Sequence, residues 1–138
     1  MSTDRRIITA LDQQKLAAVL TNALTQSVGP DAQLEAFRAE LEQAEIVSPE
    51  SVPPDVVTMN STVCLYDADF DVTDTYNLVY PVDADIFDNR LSILNPMGMA
   101  VLGRRSGEVI RWQNANGEHE MKLKELQYQP EREGVLNL

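Results

Sequence analysis

The sequence predicts an α+β protein, a short antiparallel helical hairpin followed by a mostly antiparallel sheet that carries one short helix. Three observations lead there. Apolar residues recur at three- and four-residue steps as far as Ala44. Three prolines in "IVSPESVPPDVV" then forbid both helix and regular central strand. From Val56 onward the apolar period is two.

Thr9 followed by Asp12 fits a capping box with Asp in place of Glu, and it starts a helix at Ala10 that runs to Gln26. Leu16, Val19, Leu20, Ala23 and Leu24 share one face of it. "SVGPD" interrupts the pattern: Gly29 and Pro30 end one helix, and Asp31 caps the next. In the second helix Leu34, Phe37, Leu41 and Ala44 keep a 3-4-3 spacing, the seam of a coiled coil. Arg38, Glu40, Glu42 and Glu45 lie outside that seam. Two amphipathic helices joined by a short turn pack antiparallel. The predicted divisions are a hairpin over 1–47, a proline-rich linker over 48–55 with Pro49, Pro53 and Pro54, and a globular domain over 56–138.

In that domain "STVCLYD" places Val63 and Leu65 on one face and Thr62, Cys64 and Tyr66 on the other. "TDTYNLVYP" and "RLSIL" read as two further strands, and "EVIRWQ" and "EHEMKLKELQYQ" as a pair around the turn Asn116-Gly117. Met121 and Leu123 give way to Leu126 and Tyr128, a one-residue slip that predicts a β-bulge near Lys124 or Glu125. Between the third and fourth strands, Asn95 suits an N-cap, Pro96 the first helical position and Gly103 the left-handed residue after the helix. The segment is a short helix laid across the sheet, with Pro96 and Met97 at its start, within reach of a partner.

The chain has 138 residues, with 22 acidic against 11 basic and a formal net charge of −11. Such a field repels nucleic-acid phosphates and favours basic partners, so direct nucleic-acid binding is not expected. No apolar run approaches the ~18–20 residues of a membrane helix, and "MSTDRRIITALD" has no signal-peptide core. A single cysteine, Cys64, excludes an internal disulfide framework. A cytoplasmic chain is expected, taken as a monomer, although no pattern in the sequence fixes the oligomeric state.

Catalytic chemistry is sparse, and no catalytic, cofactor-binding or metal-ligating residue is expected. There is no GxxxxGK loop. His119, between Glu118 and Glu120, reads as an exposed strand residue, and a nucleophilic pair with Cys64 would need spatial adjacency that nothing requires. Asp67, Asp69 and Asp71 begin like an EF-hand loop, but the sixth position is Val72 and the twelfth Leu78, so a solvated turn is the reading. Asp83, Asp85 and Asp88 are read the same way.

"DVVTMNSTVCLYD", "LSILNPMGMAVLGRRSGEVI" and "NGEHEMKLKELQYQP" together resemble the C-terminal domain of the bacterial Gre transcript-cleavage factors. With "AELEQAEIVSPESVPPDVVTMNS" and the "YQPE" ending, the resemblance covers about residues 5–133, and the chain is identified as a member of the Rnk/Gre group. The resemblance implies an FKBP-like C-terminal domain and an N-terminal coiled-coil hairpin. It also implies docking at the entrance of the RNA polymerase secondary channel, through Ser92, Asn95, Pro96 and Met97. Leu94 stands where some Gre factors carry an acidic residue. In Gre factors acidic hairpin-tip residues help hold magnesium for RNA cleavage. Here the tip has one carboxylate, Asp31, and an arm of about 25 Å, so competition with Gre factors without cleavage is implied. Two other readings stand beside it: regulation of nucleotide metabolism through nucleoside diphosphate kinase, the effect for which Rnk is named, and a prolyl isomerase, which the small aromatic complement disfavours.

Overall fold

The computed structural model describes residues 5–26, 31–114 and 117–136. A three-residue strand, β1 (Ile7–Thr9), leads into α1 (Ala10–Gln26), and α2 (Ala32–Glu42) returns to β2 (Glu45–Val47). β1 and β2 pair in parallel, which closes the base of the helical pair, and neither strand was foreseen. The start of α1 is as expected: the Asp12 backbone N–H donates to Thr9 Oγ1 at 3.1 Å. Asp31 caps α2, accepting from the Leu34 N–H. The predicted break at Gly29 and Pro30 lies outside the described residues.

Sequence spacing alone suggested a narrow seam between two helices, but the apolar faces are shared more widely. Leu16, Leu20, Leu34 and Phe37 are buried in one cluster with Val57, Met59, Ile93, Met99 and Leu102 of the remainder of the chain. At the far end of the pair, the Gln33 side chain donates to the Gln113 carbonyl at 2.6 Å. The helices therefore lie on the sheet-bearing part as well as on each other. Apolar area is buried wherever a surface is offered.

The 48–55 segment contains a one-turn 3-10 helix, Pro49–Ser51, and is strapped down. Buried Gln129 donates to the Pro53 and Val56 carbonyls at 2.8 and 2.7 Å, and Val52 is buried. Five strands then form a sheet in the order β5-β4-β3-β7-β6. They are β3 (Thr62–Asp67), β4 (Val72–Val79), β5 (Arg90–Ser92), β6 (Val109–Asn114) and β7 (Gly117–Tyr128). Four of these strands are antiparallel neighbours, but β5 runs parallel to β4. The chain crosses over between them through residues 80–89 instead of turning tightly, so the sheet is mostly antiparallel with one parallel edge pair. The bulge falls as expected: Cys64 faces Glu125 and Leu65 faces Leu123, leaving Lys124 unpaired, with a second shift near Gln127. The predicted turn centred on Asn116 lies partly outside the described residues.

Between β5 and β6 runs α3 (Pro96–Val101), with Asn95 as N-cap and Gly103 at φ +76°. Val101 and Leu102 are fully buried against the sheet. A Cβ at Gly103 would sit 2.8 Å from the Arg6 Cβ, so both the positive φ and the close approach of β1 call for glycine there.

Candidate partner-binding surface

The turn from β5 into α3 is a chain of short-range hydrogen bonds. The Leu94 N–H donates to Ser92 Oγ at 3.1 Å, and the Asn95 N–H to the Ser92 carbonyl at 3.0 Å. The Met97 N–H donates to Asn95 Oδ1 at 2.9 Å, completing the helix cap. Asn95 is exposed, while Ser92, Leu94, Pro96 and Met97 are half-buried. The four residues implicated by resemblance are thus contiguous at the surface, but they face two grooves. Ser92, Asn95 and Met97 line one of about 350 Å3 with Ile86 and Tyr76. Pro96 lines a larger, more charged cleft between α2 and β6.

Gly98 locks this turn. A Cβ there would fall 2.3 Å from the Ser92 carbonyl oxygen, a backbone atom that can move only with the turn itself. Gly98→Ala is expected to cost about 1–3 kcal/mol, the usual range for overpacking, read as a lowered urea midpoint at unchanged slope.

Behind α3 lies a residue that sequence reasoning passed over. Buried Arg6 donates to the Met99 carbonyl and to the Leu102 carbonyl, the latter at 2.8 Å, so its cation caps the C-terminal end of α3. The same guanidinium pairs with Glu40 of α2 and lies 5.2 Å over the Phe37 ring. Burial lowers its pKa from the usual value, partly offset by Glu40. One side chain thus ties the helical pair to the back of the candidate docking helix. Sequence offered no signal for it, because the carbonyls it serves are over ninety residues away.

Asp12 makes a second tie. Beyond its place in the cap, its carboxylate accepts from the Met59 N–H at 3.1 Å and from the Tyr80 hydroxyl at 3.4 Å. Burial raises its pKa to about 6, against the opposing effect of the Met59 hydrogen bond. The Tyr80 phenol is pushed up in turn, by burial first and then by the Asp12 charge.

Asp31 is the other residue singled out at the hairpin end. Its carboxylate is engaged in capping α2, and it lines a groove of about 540 Å3 with Tyr80, Val82 and Leu94. The acidic turns are likewise engaged locally. Asp67 accepts from the Asp69 N–H and Asp71 from the Tyr66 hydroxyl, while Asp85 accepts from the Phe87 N–H. Among the described residues, no group of three or more His, Cys, Asp or Glu side chains is placed to hold a metal ion. His119 stacks on Trp112 at 5.5 Å between ring centres. Buried Cys64 pairs in register with Glu125, six residues further along β7 from His119. That separation is roughly 20 Å at strand spacing, so the two form no nucleophilic pair. No helix among the described residues is long and apolar enough to cross a membrane.

Residues 52–128 match the family model described as "Transcription elongation factor, GreA/GreB, C-term". The "Regulator of nucleoside diphosphate kinase" of Escherichia coli K12 is 36% identical over 135 residues, covering 97% of each chain. A "Transcription elongation factor GreA" of Streptococcus suis is 27% identical over 93 residues, 67% of this chain and 58% of that protein. A solved structure, "Prokaryotic transcription elongation factor GreA/GreB from Nitrosomonas europaea", superposes with a TM-score of 0.73 at 37% identity, covering 90% of this chain and all of that one. These relatives are regulators and elongation factors by name. The chain belongs to the GreA/GreB family, in its Rnk branch.

Proposed function

We propose that this protein docks on RNA polymerase at the rim of the secondary channel, through the turn Ser92–Asn95–Pro96–Met97, and excludes Gre factors from that position without stimulating transcript cleavage. The observation that carries the second half is at the hairpin end. Asp31 spends its carboxylate on capping α2, and α1 and α2 have only 17 and 11 residues. Those lengths are about 25 and 16 Å, and part of each helix is packed on the sheet-bearing part. A magnesium ion in a cleavage site needs oxygen ligands within direct coordination distance, and one engaged carboxylate on a short arm does not supply them.

Family membership supports the choice of polymerase as partner, and the pre-organised cap at Asn95 supports the choice of surface. Added to stalled transcription complexes, the protein is expected to inhibit Gre-stimulated RNA cleavage in a concentration-dependent way, as mass action on one surface requires. Alone it stimulates none. Pro96→Ala removes a pre-set φ without deleting a hydrogen bond, so the fold remains and the inhibiting concentration rises. Cleavage driven by the protein alone, or undiminished Gre activity at large excess, would sink the proposal.

A further inference from the structure

The cleft between α2 and β6 gathers positive charge on a chain that is strongly negative. It encloses about 540 Å3, and Arg6, Arg104 and Arg111 all line it, three of the 11 basic residues in a chain of net charge −11. Two carboxylates, Glu40 and Glu108, line it as well, and both are engaged. Glu40 pairs with Arg6, and Glu108 accepts from the Arg105 N–H at 2.7 Å. Arg111 pairs with Glu120 of β7, an exposed ion pair of the weak kind. Arg6 is 5% exposed, and its Nε has no hydrogen-bond partner among the described residues. Burial lowers its pKa most; Glu40 opposes this, and the nearby Arg104 charge lowers it further. Two guanidiniums close enough to repel each other are relieved by an anion beside them.

Shape limits what can enter. The volume falls within the range of about 300–1,000 Å3 usual for small-molecule sites. Phe37, Met99, Ala100 and Ile110 are buried and form an apolar floor. The Gln33 side chain meets the Gln113 carbonyl at one end of the cleft, and Glu40 meets Arg6 at the other. Gln33 and Glu40 are seven positions apart on α2, about 10 Å. That leaves room for a ring with one charged substituent and too little for a threaded polymer. The net charge of the chain repels a polyanion in any case.

We infer that this cleft binds a small organic oxyanion, a planar apolar body on the Phe37–Ile110 floor with its phosphoryl or carboxylate group held by Arg104 and Arg111 beside Arg6. Arginine suits that task, because its planar fork matches the oxygens of either group in pairs. The bound molecule would touch α2, α3 and β6 together, at the joint that Arg6 already ties. The inference goes beyond the docking reading and stands without it.

The test is titration of the 15N-labelled full-length protein with phenyl phosphate, benzoate and benzyl alcohol, followed by NMR. One or both anions are expected to bind saturably with a Kd of roughly 1–10 mM, as suits probes of about a dozen heavy atoms. The amide signals of Ala36, Ala100 and Ile110 should move, and neutral benzyl alcohol should bind at least fivefold more weakly. Phenyl phosphate alone binding would assign a phosphoryl ligand, and benzoate alone a carboxylate. Arg104→Gln is expected to weaken binding at least fivefold, and so is Arg111→Gln, whose exposed side chain (72%) can change without disturbing the fold. Arg105→Gln makes the same change of charge outside the cleft and is expected to stay within twofold of the wild type. Ala36→Leu, which fills the cleft from an exposed helix position, is expected to abolish binding at an unchanged melting temperature. The inference is overturned if neither anion binds, if benzyl alcohol binds as well as they do, or if the shifts lie elsewhere. Equal losses for Arg105→Gln and Arg111→Gln overturn it too, since net charge alone then explains both.

Discussion

Arg6→Ala is expected to lower the stability of the fold by about 3–4 kcal/mol. The guanidinium holds the Met99 and Leu102 carbonyls at the end of α3, and charge-assisted hydrogen bonds of this kind are worth about 1.5–3 kcal/mol each. Stacking over Phe37 adds about 0.5–1 kcal/mol. The ion pair with Glu40 adds little of its own, because that carboxylate is half-exposed and screened by water. Burying the cation carries a cost, which the lowered pKa reflects, and so the net effect falls short of the sum. Arg6→Met refills the volume but leaves both carbonyls unpaired, and it should recover only part of the loss. Urea unfolding of the three proteins at one pH measures both differences. A loss below about 1 kcal/mol for the alanine variant would mean that water replaces the guanidinium at those carbonyls.

Much of the local structure could be read in the sequence because its causes are local. Thr9 three residues before Asp12, Asp31 three before Leu34, and Asn95 beside Pro96 each mark a helix start, since the bonds concerned span two or three residues. The one-residue slip in β7 showed in the alternation itself, where Leu123 and Leu126 cannot share a face without an unpaired residue between them. What escaped is long-range. The parallel pairings of β1 with β2 and of β4 with β5 join segments whose local patterns differ in no way from antiparallel ones. Arg6 looked like an ordinary polar residue and Asp12 like part of a helix cap alone, because the Met99, Leu102 and Met59 groups that hold them lie far along the chain. The candidate surface divides along the same line. Asn95 and Pro96 announced themselves through helix-start chemistry. Ile86, which lines the same groove as Asn95, did not, because an apolar residue in a sequence carries no mark of whether it will be covered.

Asp12 should make the protein less stable as pH rises from about 4 to about 6, by about 3 kcal/mol in all. Its carboxyl titrates at about 6 in the fold, against an ordinary value of 3.8, chiefly because it is buried. The neighbouring Glu131 charge pushes in the same direction, and the Met59, Thr9 and Tyr80 hydrogen bonds oppose it. Below pH 3.8 both folded and unfolded chains hold the proton, and the site is neutral in each. Between the two values the folded chain holds a proton that the unfolded chain has released. Stability therefore declines with rising pH across that window and levels off above it. At about 1.4 kcal/mol for each unit of difference, a shift of this size gives the figure of about 3. Many other carboxylates titrate in the same range, so the effect is isolated by comparison with Asp12→Asn. The amide keeps an oxygen for the Met59 N–H, and its NH2 can donate to the Tyr80 hydroxyl oxygen, so the packing is preserved while the titration is removed. The variant is expected to gain on the wild type steadily from pH 4 to pH 6.5 in urea midpoint, and to hold a constant lead above that. A stability difference that does not vary with pH would show that Asp12 ionises at an ordinary value, with water reaching it between Met59 and Tyr80.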